Sequence, residues 1–339
     1  MSISPAPLAP QPPVAPLHMD LPQALRHIDR SFGIDRILAE EGVDIVPQYY
    51  IQSERGYRRV HSGSGSMHMA LNTDGRFDPD GYHAQVRTVA DRLRARGVGD
   101  GAESINGEAP RVLELGAGMG FNALALARDF PRLRIDALDL MPHHVHKASA
   151  AAQDLPNLRF TQGSYEAIPP ALAGADLIFA VETLSHAHDI DRLAQEIAAA
   201  LAPGGQVLIW DAFRNPDFDM DDAQALQAAR LFEITTAVSR GFFPCSRWEG
   251  ALQAAGLRLG PTQDLTWQTM PSVRRLHGYA TRFFTSWKYR MLRPFMPRYL
   301  ALNAVAGLLG PFVVEGVTRD GQTAPGYLDY HLIVAEKPR

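Results

Sequence analysis

Between residues 110 and 214 the chain alternates between two hydrophobic patterns. Short apolar runs (RVLEL, LRIDALDL, LRFTQG, ADLIFAV and GQVLIWDAF) read as strands. Between them FNALALARDF, HHVHKASAAAQ and IDRLAQEIAAALA place apolar residues at helical spacing. Such alternation predicts a parallel sheet covered on both faces. Pro203-Gly204-Gly205 stops one helix ahead of the next strand. Upstream, residues 21–45 predict one or two short helices and residues 81–97 another. Downstream come a helix at 246–256, a short strand near 257–264, a basic aromatic helical stretch and a closing strand, YLDYHLIVAEKP. The expected fold is a doubly wound α/β domain of seven strands, the last antiparallel. Its expected parts are a helical segment over 21–105 covering the ligand side, a core over 106–264, a cap insertion over 265–314 and the final strand in 315–339. Six prolines among the first 16 residues predict a disordered tail to about residue 20.

Composition narrows the class. Hydrophobic residues make up 46% and charged residues 21%, as expected of a globular enzyme. The net charge of −4 argues against a dedicated nucleic-acid binder. The single cysteine, Cys245, excludes an internal disulfide framework and a cysteine-rich metal site, and fits a cytoplasmic protein. No apolar run reaches membrane-spanning length; the longest, 301–314, is interrupted by Asn303, Gly307, Gly310 and Pro311. The N-terminus lacks the basic region of a signal peptide.

The strongest local signal is Glu114-Leu-Gly116-Ala-Gly118-Met-Gly120, between a strand and a helix. Its glycines permit a tight turn and close approach of backbone to a ligand. Dinucleotide enzymes use GxGxxG in the same place. Here the spacing is GxGxG and an acid precedes it. A second acid, Asp139, closes the next strand 23 residues after Gly116, where a carboxylate can accept both ribose hydroxyls. Gly163-Ser164-Tyr165 ends the third strand.

Over roughly 110–214 these motifs resemble the class I S-adenosylmethionine-dependent methyltransferases. The resemblance implies that the cofactor is S-adenosylmethionine, bound by Glu114, Gly116, Gly118, Gly120, Asp139, Ser164, Tyr165 and Ser66. Its methionine amino group would lie near Gly116, its ribose on Asp139 and its adenine near Ser164 and Tyr165. Ser164 stands where the family commonly has Asp.

Three flanking segments are similar to sterol, tocopherol and prenyl-diphosphate C-methyltransferases. They are Tyr49-Tyr50 with Tyr57, His61 and Ser66-Met67-His68; Val181-Glu182 with Ser185-His186; and the closing segment from EGVTRDG. The likeness implies methyl transfer to an alkene carbon of an isoprenoid, either sterol-like or a prenyl diphosphate. A carbocation formed on the way needs aromatic faces and a base. Glu182 and His186 are the base candidates, with His68 beside them. Tyr50, Tyr57 and Trp287 are the candidate cation-facing rings. Loop packing or core burial could equally explain each of these. An N- or O-methyltransferase, with His68 or His186 as base, is the alternative enzyme. A non-catalytic cofactor-binding regulatory protein is the alternative of another class. His143, His144 and His146 start a helix without a carboxylate cluster and read as an exposed helix start rather than a metal site. Mg²⁺ would enter only with a diphosphate acceptor.

The charge is also segregated. Residues 265–314 contain no Asp or Glu, and carry +7 from six Arg and one Lys, so the rest of the chain stands at −11. The same 50 residues hold nine of the 29 aromatic residues. Three readings stay open: a solvated surface, a lid whose Arg274 and Arg275 grip a diphosphate, or a peripheral membrane contact. The expected partner is a small lipophilic or diphosphate acceptor and not nucleic acid; a homo-oligomer stays open.

Overall fold

A computed structural model describes residues 17, 19–56, 60–97 and 109–339. Five parallel strands form most of its sheet: β1 (Arg111–Leu115), β2 (Arg134–Asp139), β3 (Leu158–Gln162), β4 (Ala175–Val181) and β5 (Leu201–Arg214). Two short pieces, β6 (Arg258–Leu259) and β7 (Gln263–Asp264), stand where one strand is expected. Gly260 and Pro261 interrupt it, and a proline cannot donate to a ladder. A separate hairpin follows, β8 (Val317–Arg319) and β9 (Gln322–Ala324). The last strand, β10 (Leu328–Glu336), inserts antiparallel between β5 and the β6 and β7 pieces. The order is β3-β2-β1-β4-β5-β10-β6, with β7 also on β10. All seven residues of β4 are buried, as in a sheet covered on both faces.

The helices are α1 (Leu21–Phe32), α2 (Ile34–Leu38), α3 (Val46–Gly56), α4 (Ala84–Ala95), α5 (Phe121–Asp129), α6 (Pro142–Ala151), α7 (Ile190–Ala200), α8 (Ala223–Thr235), α9 (Cys245–Ala254), α10 (Thr266–Thr285), α11 (Trp287–Leu292) and α12 (Arg298–Val314). Val89 of α4 and Leu126 of α5 join Phe179 and Trp210 in the core on one sheet face. On the other face Ile197 of α7 and Leu252 of α9 meet Ile178 and Ile209. A third core, mostly helical, unites Ile28, Ile37, Leu231, Val305 and Leu308 from α1, α2, α8 and α12. At its start α1 is fixed by a capping box: Gln23 N–H donates to Asp20 at 2.7 Å, and the Gln23 side chain accepts from Asp20 N–H. The sequence of α12, RYLALNAVAGLLGPFVV, is apolar on all sides because it runs through the middle of this cap.

The cap therefore draws on more of the chain than the insertion 265–314. Within 21–105, α1 and α2 belong to the cap core and α4 belongs to the sheet. Among the described residues of 21–105, Asp44, α3 and the loop after it reach the ligand side. The expected tail lies outside the described residues up to residue 16.

Candidate active site

Strand order reverses between β1 and β4, and a crevice opens beyond their carboxyl ends. A pocket of about 320 Å³ occupies it. The loop after β1 forms its floor. Gly116 and Gly118 have φ of +64° and +53°, in the left-handed region. A Cβ on Gly116 would lie 2.0 Å from Thr183 Oγ1, and one on Gly118 would lie 3.2 Å from Met67 Sδ. The loop is thus pressed between the end of β4 and the Gly-Ser segment. Asp139 accepts from Gly118 N–H at 2.7 Å, from Met141 N–H at 2.8 Å and from His144 Nδ1 at 3.2 Å. Glu114 is buried below; its Oε1 accepts from Asn122 Nδ2, and Oε2 has no partner among the described residues. Burial pushes its carboxyl up to about 8, against the Asn122 and Ala123 donors and with help from the Asp139 charge. Ser164 accepts from Glu166 N–H, and the Tyr165 hydroxyl donates to Thr183 O at 3.1 Å. Both line the pocket. A glycine cradle that a Cβ would fill, a strand-end carboxylate and an unpartnered buried carboxyl oxygen fit a nucleoside cofactor bearing positive charge.

A second chamber, of about 490 Å³, lies between this pocket and the cap. Its lining is mostly aromatic and aliphatic, with Phe232, Phe242, Val273, Tyr279 and Phe283 among it. Tyr50, Met67, Glu182 and His186 line both chambers and form the wall between them. Glu182 ends β4 with φ +49°, rare for a residue with a side chain. Its Oε1 accepts from Met69 N–H at 2.7 Å, so the same carboxyl ties down the Gly-Ser segment. Burial raises it to about 8, and the Met69 donor offsets part of that rise. His186 Nδ1 lies 3.1 Å from Ala237 O. A carbonyl only accepts, so Nδ1 carries the proton and Nε2 presents a lone pair. The Tyr50 hydroxyl donates to that lone pair at 3.1 Å. Burial lowers the basicity of His186 and keeps the ring neutral. Ala237, at φ +62°, sits in the turn after α8, so the cap sets the tautomer.

His68 lines the cofactor pocket and not the second chamber. Its Nε2 donates to Tyr82 O at 2.9 Å, and Nδ1 lies 3.3 Å from Ser66 Oγ. Burial drives it down to about 4. His61 is likewise buried, donates to His68 O at 2.7 Å and is lowered to about 4, but it lines the second chamber.

Several expected residues line neither pocket. Gly120 is the N-cap of α5, where a Cβ would strike the Phe160 ring at 2.5 Å; it makes room for packing and does not line the pocket. Ser66 is fully buried and positions His68 instead of meeting the pocket. Arg274 Nε donates to Glu315 Oε1 at 2.6 Å. Arg275 donates to His61 O at 2.9 Å and lies 4.3 Å over the Phe77 ring. Neither arginine lines the chamber: Glu315 lies just beyond the acid-free stretch and claims Arg274, and a backbone carbonyl claims Arg275. Trp287 is exposed outside the chamber and faces no cation site. Tyr57 lies outside the described residues. His144 is not an exposed helix start, because Asp139 draws it into the pocket floor. No group of three His, Cys, Asp or Glu among the described residues could hold a metal. Cys245 is the first residue of α9, where burial raises its thiol to about 12.

Sequence reasoning missed Asp211, which lines the second chamber and accepts from Ser185 N–H at 3.0 Å. Burial raises it to about 6. A lone acid inside VLIWDAF was the signal. It also missed the Ala237 carbonyl, which nothing in the sequence marks, and quoted Met67 only as part of a motif, without a role.

Residues 112–205 match a family model described as a methyltransferase domain. Among curated proteins, the chain is 26% identical over 239 residues to an S-adenosyl-L-methionine-dependent Diels-Alderase of Talaromyces variabilis, covering 67% of this chain and 76% of that protein. It is 25% identical over 158 residues to a sterol 24-C-methyltransferase of Gibberella zeae, covering 46% of this chain and 41% of that protein. Among solved structures, the [4+2]-cyclase SpnF superposes with a TM-score of 0.62 at 19% identity, over 86% of this chain and 96% of that one. That likeness bears on the fold.

Proposed function

Since the chain belongs to the class I S-adenosylmethionine-dependent methyltransferases, we propose that it methylates an alkene carbon of a neutral isoprenoid of sterol-like bulk. One observation carries the reading: a large apolar chamber meets the cofactor pocket at a wall holding both a carboxyl and a tyrosine–histidine pair. The sterol methyltransferase among the relatives points the same way. A diphosphate acceptor is disfavoured, because the expected clamp, Arg274 and Arg275, is engaged by protein groups and Arg282 alone of the arginines lines the chamber. A role for Mg²⁺ is disfavoured with it.

The cofactor would rest on Gly116 and Gly118, its ribose against Asp139 and its adenine toward Ser164 and Tyr165. When bound it supplies an electrophilic methyl carbon. The wall residues do the rest by orientation and proton handling. An alkene that has gained a methyl carries a carbocation on the neighbouring carbon. The Tyr50 face stabilises that charge. Loss of a proton from the adjacent carbon restores a double bond. The Tyr50 oxygen accepts that proton as its own passes to His186 Nε2, leaving neutral tyrosine and an imidazolium held on Ala237 O. Glu182 is largely protonated at pH 7 and becomes a negative charge beside the cation as pH rises through about 8.

The test is incubation with methyl-labelled cofactor and a panel of sterols, prenyl alcohols, prenyl diphosphates, amines and phenols. Label in a carbon skeleton of the neutral lipophilic members is the expected result. Label confined to amines or phenols would sink the carbon-acceptor reading. The Talaromyces relative's name favours a second reading, ring closure of a polyene in the same chamber with the cofactor retained. That reading predicts a cyclised product of unchanged mass and no label.

A further inference from the structure

The +7 of residues 265–314 divides into two groups. Arg274 and Arg298 are paired with Glu315 and Glu40, and Arg275 is held by His61 O and the Phe77 ring. Arg282, Lys288, Arg290 and Arg293 join no ion pair among the described residues, and of these only Arg293 lies over a ring, 5.4 Å from that of Phe32. These four cluster in one twelve-residue stretch, around α11. That helix has no buried residue. Trp287 is 60% exposed, Met291 64%, Leu292 55% and, in the turn that follows, Phe295 85%. Six-residue helices are marginal in water, and this one buries no side chain to hold it. Large apolar side chains gathered on such an element mark a contact surface. The surface is continuous with the second chamber, because Arg282, Tyr289 and Met296 belong to both.

We propose that α11 and the turn after it dock on an anionic lipid bilayer. Trp287, Met291, Leu292 and Phe295 enter the outer layer of one leaflet, and Arg282, Lys288 and Arg290 meet lipid phosphates. Charge complementarity selects this occupant. The stretch has no acid to repel an anionic surface, and its unpaired cations lie among its exposed apolar side chains. No helix among the described residues is long and apolar enough to cross a membrane, so the contact proposed is with a surface. The chamber would then open toward hydrocarbon, and an apolar acceptor could enter without passing through water. The inference stands on the surface alone and does not require the acceptor to be an isoprenoid.

Co-sedimentation of the full chain with phosphatidylcholine vesicles, with and without phosphatidylglycerol, tests it without any turnover. Binding is expected only to the phosphatidylglycerol vesicles, weakening as salt screens the cations. Lys288→Glu with Arg290→Glu should lower partitioning by about tenfold or more. Trp287→Ser with Phe295→Ser should lower it comparably. Because all four positions are exposed, circular dichroism should be unchanged. Absence of vesicle binding by the parent protein overturns the proposal. So does equal binding by the charge-reversed variant. A dimer in sedimentation velocity that Phe295→Ser dissociates, without vesicle binding, overturns it in favour of a contact between copies. Failure of the methylation panel would leave the vesicle result untouched, so the two readings fail separately.

Discussion

At the scale of single residues, the proposed chemistry rests on the wall between the chambers. Tyr50→Phe keeps the ring and removes the hydroxyl that donates to His186 Nε2. If the hydroxyl relays the proton, kcat should fall about 10²-fold or more while the cofactor Kd holds. An unchanged kcat would leave the ring as a shield alone. The rate should also rise through about pH 8 as Glu182 ionises, and Glu182→Gln should flatten that limb. A limb that survives the substitution belongs to another group. Asp139→Ala should weaken cofactor binding about ten- to hundredfold in calorimetry, since hydrogen bonds to a charged acceptor are strong. Asp139 also bonds Gly118 N–H, so part of that loss comes from the loop. Burial of charge sets a further expectation. Glu114 and Glu182 are raised to about 8, and His61 and His68 lowered to about 4. Between about 7 and 8 the histidines are largely neutral whether folded or unfolded. The carboxyls hold protons in the fold that they release on unfolding, so stability falls as pH rises through that window. Thermal unfolding of the Glu114→Gln, Glu182→Gln double variant should show a shallower decline than the parent.

Elements explain what could be read in advance. Strand–helix alternation from 110 to 214 was legible because β4 is buried on both faces and α7 on one, which leaves strong periodicities. The strand end at Glu182 and the glycine loop were legible for the same reason, as charges and glycines at fixed places in that alternation. The second chamber was not. Its walls come from α3, α8, α10, α12 and β10, and no local pattern reports how such distant segments meet. The arginines misled because absence of acid within a segment says nothing of acids beside it; Glu315 stands one residue past the end of α12. The loop–strand junction offers a sharp test. Gly116→Ala would force a Cβ into Thr183, and cofactor binding should be lost while secondary structure persists. Thr183→Gly alongside it removes all three obstructing atoms and should restore part of the binding.

Across the whole molecule, the cofactor half and the acceptor half are held by separate cores joined through the wall and β5–β10. Arg274→Ala should destabilise the cap by about 1–3 kcal/mol in denaturant unfolding, because it strands the partly buried Glu315. The acceptor KM should stay unchanged. A raised KM for anionic acceptors with stability intact would restore Arg274 as a ligand contact. On the proposed reading the methyl source stands at the shared wall, beside Tyr50 and Glu182, while partly exposed Tyr289 and Met296 also line the second chamber. An acceptor filling this space is measured against a ruler whose zero mark is His186. Regiochemistry then becomes a matter of length: a bulkier side chain at Ala304 of α12 shortens the ruler and should shift methylation toward the leading end of the substrate.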